Sequence, residues 1–320
     1  MPKILALVVV VAALLLPASV AAQSAGRLVA LVTAETSNEV IAVSLGPRGG
    51  HVLRRVHLVD PLMVAAPPHG PAVVVNPAGT VTLLAWATLR PIKVFHSFRT
   101  PKVAAVAPDG RLAYVTDEGT GDLSVIDLAR RAIVGRVFVG LEAHHLGVSP
   151  DGRQVWVALG ETARTIVRVD STNPRKPRVL GRFEPRFGAH DVSFAPDGRT
   201  VWVTSPSRSS VSGYSVGGRF LWTAGAGKPP GHVAFSGDRA LVPSGYGSLL
   251  SAFTWRSPSR AADTTSAPYG SFNLATYGDF VVTTSLFDGE VSEYRASDLH
   301  RLWTAKVAPA ARYVAISVWP

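Results

Sequence analysis

Histidine is the residue whose placement in this sequence points to chemistry. Of nine His in 320 residues, His69, the pair His144-His145, His190 and His232 each stand shortly ahead of an apolar stretch, and Asp191 follows His190 directly. His144 and His190 are 46 residues apart, His190 and His232 are 42 apart. Neutral imidazole is a common ligand of transition metals and a ready general base near neutral pH. Imidazoles with carboxylates suit Zn, Mn or Fe, and a carboxylate beside an imidazole orients it and fixes its tautomer. Other chemistries are closed. The chain has no Cys, which excludes disulfides, thiolate metal sites, iron–sulfur clusters, a Cys nucleophile and covalently attached c-type haem. Gly-x-Ser-x-Gly does not occur, so an α/β-hydrolase nucleophile elbow has no support.

Residues this far apart meet only if the fold superimposes equivalent positions, and an internal repeat does that. Three segments nearly coincide: Val103 to Thr116, Leu146 to Ala158 and Val192 to Thr204. Each is an apolar run, a Pro-Asp-Gly turn and a second apolar run carrying an aromatic. Pro and Asp favour the early positions of a reversal and Gly accepts a positive φ, so each segment reads as a hairpin. Weaker copies have their turns at Asp238 and Asp279, and Gly79 and Gly26 read as the turn positions of the first two copies. Seven turn positions in residues 23–320 recur about every 43 residues, the period of a four-stranded propeller blade. Third and fourth strands follow, as in Leu123 to Asp127 and Ile133 to Val139. The stretch from Gly79 to Gly110 has room for only three good strands and is expected to be irregular. A hydrophobic share of 47% against 17% charged, punctuated by 29 Gly and 24 Pro, fits short strands around a sizeable core.

The ends complete the pattern. Arg312 to Val318 looks like an inner strand with no second strand after it, while Gly26 opens a second strand with no inner one before it. The expected fold is therefore all-β, a seven-bladed β-propeller whose ring is closed by the C-terminal inner strand joining the N-terminal strands, with residues 23–320 as one domain. Residues 1–22 read as a secretory signal peptide: Lys3, the apolar stretch Ile4 to Leu16, a Pro17 break, and Val20-Ala21-Ala22 as a cleavage site. Thirteen uninterrupted apolar residues are short for a membrane span, an uncleaved anchor being the alternative. The mature chain is expected to be a monomer without a transmembrane span, in an extracytoplasmic place: secreted, periplasmic or cell-surface.

Tyr114-Val115-Thr116, with Trp156-Val157-Ala158 and Trp202-Val203-Thr204 as variants, each preceded by Pro-Asp-Gly, resembles the YVTN-repeat propellers, including the YncE-like exported proteins. The sequence departs from that pattern in having Asp117, Leu159 and Ser205 where the family has Asn. The resemblance implies the propeller fold. Propellers of this kind serve as binding scaffolds, surface proteins, lactone-forming or lactone-opening enzymes and cofactor-bearing domains, so function must come from the site.

In a propeller the segments leading into the inner strands converge at one rim of the central channel. That places His69, His144, His145, His190, Asp191 and His232 at a ligand-binding rim, with all but His69 candidates to hold a divalent transition metal. His69 lies two blades before His144 and reaches the others only across the channel. Aligned on the following strand, His144 matches His190, while His145, Asp191 and His232 share the next position. Loops between second and third strands add Glu35, Asp117, Glu118, Glu161, Asp288 and Glu290 as further ligands to consider. A wet channel mouth lined by polar His that hold nothing is the plain alternative. Trp222 and Trp303 read as packing between blades, and Tyr246 as part of a turn at the rim.

The leading functional expectation is binding of a small molecule or protein through the His-rich rim. The rival is a metal- or His-assisted hydrolase or lactonase at the same place. A third reading uses charge alone. The net charge is +10, with 26 Arg and 6 Lys, and a basic surface attracts anionic polymers such as nucleic acid or cell-wall polymer, and lipid headgroups. Clustering of these cations on one face would favour it; scattered Arg also follows from genomic composition.

Overall fold

The repeated turns form as their residues dictate. In the computed structural model, which describes residues 26–320, Gly110, Gly152 and Gly198 take φ of +70°, +70° and +63°, the left-handed region open to Gly. The carboxylates of Asp109, Asp151 and Asp197 accept the backbone N–H of Arg111, Arg153 and Arg199 at 3.0, 3.0 and 2.9 Å, closing each reversal locally. The flanking apolar runs then pair, with Val106 opposite Ala113, Val148 opposite Val155 and Phe194 opposite Val201.

Seven four-stranded antiparallel sheets result. Around the ring from the seam their inner strands are Val314–Trp319, Met63–Ala65, Pro101–Val106, Ala143–Val148, Val192–Phe194, Ala234–Ser236 and Ser271–Tyr277, which define blades one to seven. Middle strands such as Gln154–Leu159 and Thr200–Ser205 are buried nearly throughout, because each blade packs a neighbour on both faces. Outer strands such as Arg178–Phe183 and Val52–His57 meet solvent and carry the charges. The repeat's aromatic fills the space between blades. Trp156 of blade four meets Phe194 of blade five at 5.7 Å, and Trp202 of blade five meets Phe235 of blade six at 5.9 Å, both edge-on. Trp222 packs on Trp202 at 4.7 Å, and Trp303 donates its indole N–H to the Gly46 carbonyl, so both serve packing.

Val314–Trp319 pairs antiparallel with Arg27–Ala34 from Arg27↔Trp319 to Val32↔Val314, which unites the two ends of the chain in blade one. Blade seven holds the same blade from its other side: the buried Glu293 carboxylate accepts the Gly46 N–H at 2.8 and 3.0 Å.

One expectation fails. Blade two has four strands, Met63–Ala65, Ala72–Asn76, Thr80–Leu84 and Pro91–Phe95, and its hairpin turn is at residues 66–71, not at Gly79. Gly79 lies between the second and third strands, at the opposite end of the blade. Asn76 caps that reversal by accepting the Ala78 N–H at 2.7 Å, so its local chemistry matches a Pro-Asp-Gly turn. With Gly70 as the turn position, the spacings from Gly26 and to Gly110 are 44 and 40 residues, and the period becomes regular. The signal-peptide assignment to residues 1–22 lies outside the described residues. No helix among the described residues is long and apolar enough to cross a membrane.

Removing residues 312–320 deletes the inner strand of blade one and uncovers the edge of Arg27–Ala34. The truncated protein is expected to melt at a lower temperature and to form soluble aggregates on size-exclusion chromatography; a monomer with an unchanged midpoint contradicts the closure.

Candidate metal centre

The face from which the chain enters the inner strands is called here the upper face, and the Pro-Asp-Gly turns lie on the lower one. On the upper face the Thr of the repeat ties neighbouring blades together. Thr116 Oγ1 accepts the Val103 N–H at 3.2 Å within blade three and donates to the His144 carbonyl of blade four at 2.6 Å. Thr204 accepts the Asp191 N–H at 3.0 Å, and Thr33 accepts the Tyr313 N–H at 3.0 Å while donating to Leu62 O. These bonds pin the residues at the start of the inner strands or just ahead of them. The pairs Lys102-Val103, His144-His145, His190-Asp191, Gly231-His232 and Arg312-Tyr313 thereby occupy equivalent places around the ring.

From three consecutive blades, His145, His190 and His232 bring ring nitrogens within 4.8 Å of one another. The ring centroids of His145 lie 4.1 Å from His190 and 5.0 Å from His232. Each imidazole is held through Nδ1. That of His190 donates to the Glu161 carbonyl at 3.1 Å, that of His232 lies 3.3 Å from Asp191 Oδ1, and that of His145 is 2.9 Å from His144 Nδ1. With Nδ1 engaged, Nε2 is the nitrogen left to ligate, and an outer partner on the second ring nitrogen is the usual arrangement of a metal-binding His. In the His144–His145 contact this requires His145 Nδ1 to donate and His144 Nδ1 to accept. Asp191 is buried, and its Oδ2 accepts the Val233 N–H at 2.9 Å and the Ser193 hydroxyl at 2.8 Å. It is therefore an orienting group between blades five and six.

Electrostatics keep the cluster receptive to a cation. Burial, reinforced by Lys102 and neighbouring imidazoles, lowers the pKa of His144 to about 4. Burial also holds His145, 1% exposed, well below the ordinary value, and lowers His190 with the help of His232 against the opposing pull of Glu161. Burial alone would raise the pKa of Asp191, but His232 and the bonds from Val233 and Ser193 outweigh it and keep the carboxylate ionised. The neutral imidazoles of His145 and His190, with lone pairs to give, stand beside a buried anion in a site that gains by binding a positive ion.

The cluster borders a cavity of about 440 Å³, lined also by Lys102, Glu161, Tyr246, Phe272, Arg312 and Tyr313. Of the six acidic candidates, Glu161 alone lines it. Glu35 pairs with Arg312 at 2.7 Å and Glu118 with Lys102 at 3.1 Å. Asp117 is spent on the N–H groups of Arg99, Thr100 and Gly119 at 2.7, 2.9 and 3.1 Å, while Asp288 and Glu290 lie outside the lining. His69 does not join the others. Since the hairpin turn of blade two is at residues 66–71, it sits on the lower face, edge-on to Trp86 at 5.6 Å. Lys102, Phe272, Arg312 and Tyr313 were not singled out from sequence, yet aligning every inner strand on the Thr register points to them.

No protein-family model matches the sequence, and no curated protein does. Among solved structures, a functionally unknown protein from Desulfotomaculum acetoxidans DSM 771 is similar with a TM-score of 0.76 at 14% identity, over 91% of this chain and 99% of that one. Apo AztD from Citrobacter koseri is similar with a TM-score of 0.69 at 8% identity, over 91% and 98%. Kuenenia stuttgartiensis hydrazine synthase is similar with a TM-score of 0.62 at 19% identity, over 74% and 77%. At such identities the likeness shows the β-propeller fold alone.

Proposed function

We propose that this protein is a binding protein that holds a divalent transition metal through His145, His190 and His232, and through it or beside it a small ligand in the upper cavity. The observation that carries the reading is the convergence of three imidazoles from three blades, His145 buried and His190 and His232 half-buried, each with its Nδ1 already engaged. An all-nitrogen set of three suits Zn or its first-row neighbours and offers nothing to Ca or Mg, which need oxygen. Export places the protein outside the cytoplasm on this reading, and membership of the YVTN-type propellers accounts for the Pro-Asp-Gly turns and the Tyr114-Val115-Thr116 run; both rest on the sequence.

A second reading, a metal-assisted hydrolase or lactonase, draws on the same geometry. Three protein ligands leave a tetrahedral ion one open position, and Glu161, Lys102 and Arg312 border the same cavity. Hydrolysis of lactone or ester substrates by the metal-loaded protein, absent from the His190→Ala plus His232→Ala variant, separates an enzyme from a binder.

Mature protein made without a His tag is expected to take up one equivalent of Zn or Co, with a tetrahedral Co(II) spectrum, and the His190→Ala plus His232→Ala variant is expected to take up none. Stoichiometric metal in both, or in neither, contradicts the assignment. Protons compete for the same lone pairs, and the lowered pKa values of His144, His145 and His190 move that competition downward. Metal should stay bound at pH 7 and be released only below about pH 6, the ordinary imidazole range. Asp191→Asn, which removes the charge behind His232, should weaken metal binding roughly 10- to 100-fold in a competition titration without unfolding the protein.

A further inference from the structure

Cations and anions are distributed unequally between the two faces. Among the described residues, loops of the lower face carry twelve Arg and Lys against six Asp and no Glu, while loops of the upper face carry six against eight. The excess of positive charge is therefore on the face away from the histidines. Four of these cations, Arg111, Arg130, Arg153 and Arg175, line a cleft of about 600 Å³ between blades three and four, together with Asp109, Asp127 and Asp151. Arg111 and Arg153 are the same repeat position one blade apart, so they flank the cleft from its two walls.

The carboxylates in the cleft leave three of its four guanidiniums without an ion-pair partner among the described residues. Asp109 is engaged by the Arg111 N–H at 3.0 Å, and Asp151 by the Arg153 N–H at 3.0 Å and the Ser149 hydroxyl at 2.6 Å. Asp127 takes both the N–H of Arg130 and its guanidinium, at 2.8 and 2.5 Å. Arg111, Arg153 and Arg175 form no ion pair among the described residues. Tyr114, fully buried between the blades, borders the cleft with Ser171 beside its hydroxyl. A guanidinium fork is the side chain best matched to phosphoryl oxygens. The cleft is far too large for one phosphate and within the range of small-molecule sites.

We propose that this cleft is a second binding site, separate from the histidines, for a small ligand carrying two or more phosphoryl groups. Arg111 and Arg153 grip it from opposite walls with Arg175 alongside. The proposal does not depend on the metal reading.

Tripolyphosphate titrated calorimetrically into the mature protein at low salt is the test, with vesicles carrying phosphatidic acid as a second arm. Arg111→Gln plus Arg153→Gln is expected to weaken tripolyphosphate binding at least tenfold. Arg199→Gln, the same repeat position on the same face but outside the cleft, should change it less than twofold, with the melting midpoint of each variant near that of wild type. Binding confined to the vesicles, and lost in the same paired variant, assigns the cleft to a phosphorylated headgroup instead of a free ligand. Absence of binding to both probes, or equal weakening by Arg199→Gln, overturns the site.

Discussion

The antiparallel pairing of Val314–Trp319 with Arg27–Ala34 is the contact on which the other packing depends. A four-stranded sheet with both faces apolar is unstable by itself, because each face needs a neighbouring blade to keep it from water. Six blades gain neighbours by following one another in the chain. Only blade one must be assembled from the two ends, and until it is, blades two and seven each leave one apolar face uncovered. With no Cys to staple the ring, strand pairing at the seam and the grip of Glu293 on Gly46 do that work.

Closure also creates the site. Inner strands stand side by side only when the ring is complete, and the Thr bonds from one blade to the next then place the residues ahead of them around one cavity. Much of the cavity wall is thus the same two positions read out blade by blade: Lys102 and Val103, the histidines, Phe272 and Asn273, Arg312 and Tyr313. Such a wall is chemically asymmetric because each blade contributes different side chains to a common backbone frame. Blades four to six contribute imidazoles, and blades three and one contribute cations already paired with Glu118 and Glu35. Burial and the neighbouring positive charges hold His144, His145 and His190 below the ordinary imidazole value, so these three give neutral rings.

The two ends of the propeller differ for a reason rooted in the repeat. In the Pro-Asp-Gly turns of the lower face the Asp accepts a backbone N–H, and Arg111, Arg153 and Arg199, which follow, form no ion pair among the described residues. Upper-face connections follow no such turn rule, and they hold Glu residues together with His190 and His232.

The sequence by itself determined the architecture. Turn chemistry at Pro-Asp-Gly is local, strand periodicity is local, and the repeat of about 43 residues sums them into seven blades with a seam at the two ends. It also brought His144, His145, His190, Asp191 and His232 to one rim, since equivalent positions of a repeat must converge. It could not place His69, because Asn76 to Gly79 and Pro67 to Gly70 are both good reversals and only the pairing of Ala72–Asn76 with Thr80–Leu84 shows which is at which end. Nor could it divide the labour within the rim. That His145 turns toward His190 and His232, while His144 backs it and Asp191 reaches the next blade, follows from contacts between blades, and side-chain direction across such an interface is decided only when the neighbours are packed.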